Sequence, residues 1–263
     1  HVVFDARQID RLTGFALHHL RQPLGPRSVH TLEAQRAHAA RRLLAWRGLA
    51  ETAQRVEAAG GRASVHKLDL SDISATDAWF RIHGDVDILH NNAGVVSGLP
   101  QFPDVDTTRL QWIIDTNLTS LVAATQIAIQ AMRQRGGGVI VNVASISGLA
   151  GDGAYPSYCA QKGAVINLTR AMATYHAREN IRINALCPGF VETPATDAFK
   201  AFPQLLEDWF RSIPAQRPAQ PEEMASIVAF LASDDASYMH GSIVVADGGV
   251  TAATGQPTQV PIG

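Results

Sequence analysis

The sequence predicts an α/β fold in which a doubly wound parallel sheet is covered by helices. Short apolar runs indicate buried strands, and most of them end in glycine or a small polar residue. Segments with helical signals separate these runs, so strand and helix alternate as in βαβ units, whose ligands bind beyond the carboxyl ends of the strands. At 263 residues the chain is long for one domain, but open α/β sheets of this size are common.

From residue 49 onward the elements can be assigned in chain order. The predicted helices are 50–59, 75–83, 107–135, 156–178 and 221–232. The predicted strands are 64–68, 86–94, 138–145, 184–193 and 241–249. Gly60 and Gly61 end the first helix. Helix 107–135 follows from apolar residues at helical spacing, and Pro156 and Pro221 suit the first turns of the last two helices.

The most informative residues are Ser145, which ends a predicted strand, and the pair Tyr158 and Lys162 in the next helix. The four-residue spacing puts Tyr158 and Lys162 on one helix face. We therefore expect the ammonium to lower the Tyr158 pKa below its usual value near ~10. Such a phenol can exchange a proton with an alcohol oxygen that a serine hydroxyl holds. The four-residue spacing alone favours an ordinary amphipathic helix. The strand ends and motifs that accompany these three residues favour hydride transfer instead.

Asn117 falls inside the apolar stripe of helix 107–135. A buried amide that lacks hydrogen bonds costs roughly 1 to 3 kcal/mol, so we expect it to be paired. It either satisfies a neighbouring backbone group or holds a water molecule, and a structural role does not exclude a role in a proton relay.

The combination of motifs resembles the classical short-chain dehydrogenase/reductase family over residues 49–255. The motifs are Asn-Asn-Ala-Gly at 91–94, Asn117, Ser145, Tyr158 with Lys162, Pro-Gly-x-Val-x-Thr at 188–193 and Asp-Gly-Gly at 247–249. The resemblance implies one Rossmann-like domain over residues 1–263. It also implies an oxidoreductase that transfers a hydride between NAD or NADP and a secondary alcohol or ketone.

The resemblance implies a role for each site residue. Tyr158 is the implied acid/base, Ser145 orients the substrate oxygen, Lys162 holds the nicotinamide ribose, and Asn117 anchors a water in the proton relay. The implied cofactor contacts are Asp69, Leu70, Asn92, Ala93, Gly94, Tyr158, Lys162, Pro188, Gly189, Val191 and Thr193. Asp69 and Leu70 are expected beside the adenine, and no metal site is implied.

Residues 190–216 correspond to the substrate lid of this family. Their aromatic residues are Phe190, Phe199, Phe202, Trp209 and Phe210. A small helical hairpin packed on the core accounts for most of them, and the resemblance implies an apolar wall above the catalytic tyrosine. We therefore expect a small apolar alcohol or ketone as the substrate.

The first 48 residues depart from the family, so the first βαβ unit is expected to be aberrant. The family has a Thr-Gly-x-x-x-Gly-x-Gly loop here, but no later glycine follows Thr13 and Gly14 at that spacing. Those glycines let the backbone approach the cofactor pyrophosphate. The second strand, whose end selects NAD or NADP, should fall near 37–46. Arg41 and Arg42 in this segment would favour NADP. This preference has little weight, because the segment is unusual in composition.

Three interpretations of this segment remain. Residues 1–50 hold eight arginines, no lysine and three acids, but without interleaved aromatics they give a poor case for nucleic-acid contact. A natural divergence would leave a binding or scaffolding protein with impaired cofactor binding. A compensated frame change over roughly 15–47 is favoured, because it explains the preserved length, the abrupt edges and the composition together. Reading the coding DNA in the other two frames tests it, since a Gly-rich loop followed by a Val/Ile-rich strand should emerge.

Composition narrows the remaining function classes. A net charge of -2 gives no case for nucleic acid or an anionic membrane surface, and the two cysteines have no disulfide or zinc spacing. No apolar run approaches the ~18 residues of a membrane span, and early charges argue against a secretory signal. We expect a cytoplasmic protein, and the resemblance implies a homotetramer or a homodimer. An epimerase is a weaker alternative, since a larger sugar-binding domain is missing.

Overall fold

The computed structural model describes residues 2–5, 28–32, 39–95, 104–153 and 155–254. Its sheet has six strands in the order β1-β2-β3-β4-β5-β6. The strands are β1 (Val2–Asp5), β2 (Ser28–Leu32), β3 (Ile88–Asn91), β4 (Gly138–Val143), β5 (Ile181–Pro188) and β6 (Ile243–Ala246). Strands β2 to β6 are parallel, and β1 pairs antiparallel at one edge.

Helices cover both faces of this sheet. They are α1 (Ala39–Ala58), α2 (Ile73–His83), α3 (Thr107–Ile114), α4 (Ser120–Arg135), α5 (Pro156–His176), α6 (Pro203–Ser212) and α7 (Pro221–Ala232). Successive strand residues point to opposite faces. Ile140 packs in the cluster that includes α2 and α4, whereas Val139 and Val141 pack against α7. This arrangement confirms the predicted parallel sheet with helices on both sides.

The register aligns the carboxyl ends of β3 to β6 along one edge. Asn91 pairs with Asn142, and Pro188 pairs with Ala246. Buried amides reinforce the alignment, because Asn91 Nδ2 donates to Asn142 Oδ1 at 2.9 Å. The loops that follow these strands are therefore brought together, and they carry most of the predicted site residues.

Two strand predictions were wrong. Within the described residues, 64–68 form no strand of the sheet, and of these five only Val65 is in a β-bridge. The segment near 37–46 is not a strand either, since α1 begins at Ala39. Its alanines, arginines and leucines are strong helix formers. Residues 13–20, where the family's Gly-rich loop is missing from the sequence, and most of the segment assigned to a frame change lie outside the described residues.

Arg182 on β5 shows how a buried cation stabilises the fold. Its side chain is 7% exposed and donates hydrogen bonds to the carbonyls of Leu231, Ser233 and Ala236 at 2.8 to 3.0 Å. These carbonyls lie at and after the end of α7, where a positive charge is favourable. We expect Arg182→Met to lower the free energy of unfolding by about 3 kcal/mol, because it leaves buried acceptors unpaired. Urea denaturation measures this loss.

Arg81→Met is the matched control. Arg81 forms an exposed ion pair with Asp77 at 2.6 Å, and such pairs contribute about 1 kcal/mol or less. Equal losses in the two variants would contradict the role assigned to Arg182.

Candidate active site

Ser145 and Tyr158 meet at the carboxyl end of β4. Ser145 lies two residues beyond the strand and is 9% exposed, while Tyr158 is in the first turn of α5. The interaction between their side chains favours the ionised phenol and so acts to lower the pKa of Tyr158. Ser145 Oγ also accepts from the Ser147 backbone N–H at 3.2 Å. A hydroxyl and a phenol are thus held beside each other, as the sequence predicted.

Lys162 lies one helical turn after Tyr158, and 5% of its surface is exposed. Its Nζ lies 5.7 Å from the centroid of the Tyr158 ring and donates to the Val143 carbonyl at 2.8 Å. Burial lowers the pKa of Lys162 to about 8. The side chain therefore remains a cation at neutral pH and points to the end of β4.

The expected direction of the Tyr158 pKa was wrong. Burial is the largest cause and raises the pKa of Tyr158 above its usual value, and the interaction with Ser145 opposes it. Lys162 does not offset the burial, because its ammonium is bound to a backbone carbonyl and lies over the ring. The chain by itself therefore keeps the phenol protonated.

Asn117 occupies a π-helix, Asp115–Thr119, between α3 and α4. Its amide is 2% exposed; Nδ2 donates to Val95 O at 2.9 Å, and Oδ1 accepts from Val95 N at 2.7 Å. The amide thus satisfies neighbouring backbone groups and ties down the loop after β3. A single π turn inside an α-helix is a frequent feature of functional sites. The sequence periodicity gave no sign of it.

Gln161 is a site residue that sequence reasoning missed. It is 3% exposed, and its Oε1 accepts from Asn117 Nδ2 at 2.8 Å. Its Nε2 is buried without a hydrogen-bond partner in the described part of the chain. Because Gln161 lies between the tyrosine and the lysine, it connects the π turn to the catalytic helix. A long amide inside the Tyr-x-x-x-Lys pair was the available signal.

Gly148 allows the Ser145 turn to lie directly on α5. A Cβ at Gly148 would come within 2.6 Å of the Lys162 carbonyl carbon. Any side chain there would push the serine turn away from the helix. The distance between the serine and the tyrosine thus depends on this close backbone approach.

The predicted cofactor contacts fall into three places. The Asn92-Ala93-Gly94 loop lies beside the catalytic residues, since a Cβ built on Gly94 would be 3.7 Å from Lys162 Nζ. Pro188 ends β5, and Gly189, Val191 and Thr193 follow it. Val191 bridges Ala219, and Thr193 N donates to Thr196 Oγ1 at 3.0 Å. Asp69 and Leu70 lie before α2: Asp69 Oδ1 accepts from Ser71 N at 3.1 Å, and Leu70 is in the core.

The predicted lid contains a 3₁₀ turn at Asp197–Ala201 followed by α6. Its aromatic side chains pack on one another: Phe190 lies 4.6 Å from Trp209 and 5.7 Å from Phe210, centroid to centroid. Phe202 is mostly exposed. The segment is pinned at its base, since Ala219 N donates to Phe190 O at 2.9 Å. The helical hairpin expected from the sequence is therefore held together by its own aromatic cluster.

Comparisons with known proteins show which proteins this chain is similar to. A family model for enoyl-(acyl carrier protein) reductase matches residues 25–251. A meso-2,3-butanediol dehydrogenase from Serratia marcescens is 42% identical over 203 residues, which cover 75% of this chain and 78% of the relative.

Two solved structures share the fold. One, from Agrobacterium tumefaciens with bound NADP, is described as a 2-deoxy-D-gluconate 3-dehydrogenase; it is 30% identical, has a TM-score of 0.76 and covers 95% of this chain and 93% of its own. A short-chain type dehydrogenase/reductase from Mycobacterium marinum is 34% identical, with a TM-score of 0.71 and coverage of 79% and 83%.

Proposed function

The chain belongs to the short-chain dehydrogenase/reductase family, and we propose that it transfers a hydride between NAD or NADP and a secondary alcohol or ketone. The observation that carries this proposal is that buried Ser145 and Lys162 lie with half-buried Tyr158 at the carboxyl edge of the sheet. The butanediol dehydrogenase relative and the NADP-bound structural relative support the substrate class and the cofactor.

The residues at this edge fit a nicotinamide cofactor. Within the described chain, the ammonium of Lys162 donates to one backbone carbonyl, so it can also donate to ribose hydroxyls. Asn92, Ala93 and Gly94 would flank the same ribose, and Pro188, Gly189, Val191 and Thr193 would hold the nicotinamide side. Asp69 and Leu70 would lie at the adenine. When bound, the cofactor supplies the carbon that accepts or donates the hydride.

We assign the proton step to the chain itself. In oxidation, the hydride leaves the alcohol carbon with two electrons, and the hydroxyl proton passes to the Tyr158 oxygen, which must first have released its own phenolic proton. Ser145 hydrogen-bonds the same substrate oxygen, and Tyr158 returns the proton to solvent through Lys162 and a water anchored at Asn117. Reduction reverses each step.

The alternative of a binding or scaffolding protein is not favoured. The relatives of this chain are named as dehydrogenases and reductases. The three proposed catalytic side chains of this chain also lie together at one edge of the sheet. An epimerase has no comparable support.

Cofactor titration tests the proposed function. The purified chain is titrated with NADH and with NADPH while tryptophan fluorescence is followed, and turnover of secondary alcohols is then measured with the oxidised forms. We expect saturable binding of at least one cofactor and turnover that requires it. Absence of binding by both would instead support the scaffolding alternative and would direct attention to residues 13–20.

We further propose a homotetramer in the cytoplasm. Tyr238 is fully exposed, and Phe230 and Val245 are each more than 40% exposed near the edge strand β6, which supports a subunit contact there. Light scattering that gives a monomer at micromolar concentration would exclude the homotetramer.

In the described chain, no helix has both the length and the apolarity needed to cross a membrane.

A further inference from the structure

We propose that Ser147 and Asp152 form a second polar subsite beside Ser145 and Tyr158, and that this subsite binds a hydroxyl group on the carbon next to the reacting carbon. The substrate class is then a vicinal diol, or the α-hydroxy ketone formed from it, rather than a simple apolar alcohol. This inference rests on the proposed function and names its substrate.

The backbone of the serine turn places the first member of the subsite. Ser147 N donates to Ser145 Oγ at 3.2 Å, so the backbone of the second serine lies against the hydroxyl of the first. Ser147 Oγ in turn donates to Asp152 Oδ2 at 3.3 Å. Catalytic hydroxyl, second hydroxyl and carboxylate therefore follow one another along one connected turn.

Two contacts fix Asp152 to the start of the catalytic helix. Its backbone N–H lies 3.2 Å from Cys159 Sγ, and its carbonyl accepts from Tyr155 N at 3.0 Å. Cys159 directly follows Tyr158, so the aspartate is tied to the helical turn that carries the phenol. Burial is the largest cause that raises the pKa of Tyr158, the Ser145 interaction opposes it, and the charges of Cys159 and Asp152 raise it further. The two backbone contacts of Asp152 place it beside the first turn of the catalytic helix.

The chemistry of this pair favours a hydroxyl donor. A half-buried carboxylate is stabilised by every hydrogen bond donated to it. The hydroxyl of Ser147 donates at 3.3 Å, longer than the about 2.7–2.8 Å usual for O–H···O bonds. A substrate hydroxyl can donate to Asp152 and accept from Ser147, while the exposed apolar side chains of Leu149 and the lid contact the rest of the molecule.

A matched pair of substrates tests the subsite. Butane-2,3-diol and butan-2-ol differ only in the second hydroxyl group. We expect kcat/KM for the diol to exceed that for butan-2-ol by at least about tenfold, because a hydrogen bond to a charged group typically contributes that much. Asp152→Asn and Ser147→Ala should each lower the diol-to-mono-alcohol ratio, and Asp152→Ala should lower it about tenfold.

Asp77→Asn, on the exposed face of α2, is the control and should leave the ratio unchanged. An unchanged ratio in all three subsite variants would overturn the inference, including the case in which both substrates lose activity equally. If the parent chain oxidises neither alcohol, the proposed function fails instead. The subsite is then judged by thermal unfolding with cofactor present: the diol, but not butan-2-ol, should raise the Tm of the parent and not of Asp152→Ala, and equal shifts would overturn it.

Discussion

Tyr158→Phe is expected to lower kcat by about 10³-fold, while cofactor affinity stays within about twofold. General acid/base catalysis by a positioned side chain contributes about 10² to 10⁴-fold, and phenylalanine removes only the hydroxyl that exchanges the proton. The ring and its packing remain, and so does Lys162, which is proposed to hold the ribose. Steady-state turnover and fluorescence titration with NADH or NADPH measure the two effects separately.

Tyr175→Phe is the matched control for this variant. Tyr175 lies on the same helix but is 72% exposed, so loss of its hydroxyl should leave kcat unchanged. Turnover by Tyr158→Phe at the parent rate would show that the proton passes through another group. A parallel loss of cofactor affinity would assign the tyrosine to binding rather than to proton transfer.

The sequence predicted the elements whose signals are local. Pro221 and the helical period define α7 at the residues observed, and the apolar runs locate β3, β4, β5 and β6 with boundaries that differ by a few residues. Ser145, Tyr158 and Lys162 could be predicted together because a strand end and a helix face place them at one edge.

Features that depend on partners far away in sequence could not be predicted. Residues 64–68 have strand-like composition, but strand formation is decided by what lies beside them. The π turn around Asn117 is stabilised by Val95 and Gln161, which are 22 and 44 residues away. The direction in which the pKa of Tyr158 shifts depends on burial. The four-residue spacing between Tyr158 and Lys162 does not show how deeply either side chain is buried. The Ser147 and Asp152 contact likewise appears only when the turn is folded.

Lys162→Met is expected to damage both functions that Tyr158→Phe separates. The ammonium is proposed to bind the nicotinamide ribose and to serve the proton relay, so cofactor affinity should fall about tenfold or more together with kcat. Methionine keeps the length and the apolar stem, so the core around α5 can remain packed. Lys67→Met, at an exposed lysine, is the matched control. Unchanged cofactor affinity in Lys162→Met would remove the lysine from the ribose site.

Lys162→Met should also change how the free energy of unfolding depends on pH, and this effect does not require cofactor. Burial lowers the pKa of Lys162 from 10.5 to about 8, so between these pH values the unfolded chain binds the proton and the folded chain does not. The penalty for burying the ammonium is therefore fully present below pH 8 and disappears as the pH rises toward 10.5. The difference in free energy of unfolding, parent minus Lys162→Met, should increase over that interval by about 3 kcal/mol. Tyr158 is present in both proteins, so its own titration largely cancels in this difference. Urea denaturation at pH 7.5 and 10.5 measures it, and a difference that stays constant or falls would mean that the ammonium of Lys162 is solvated in the folded protein.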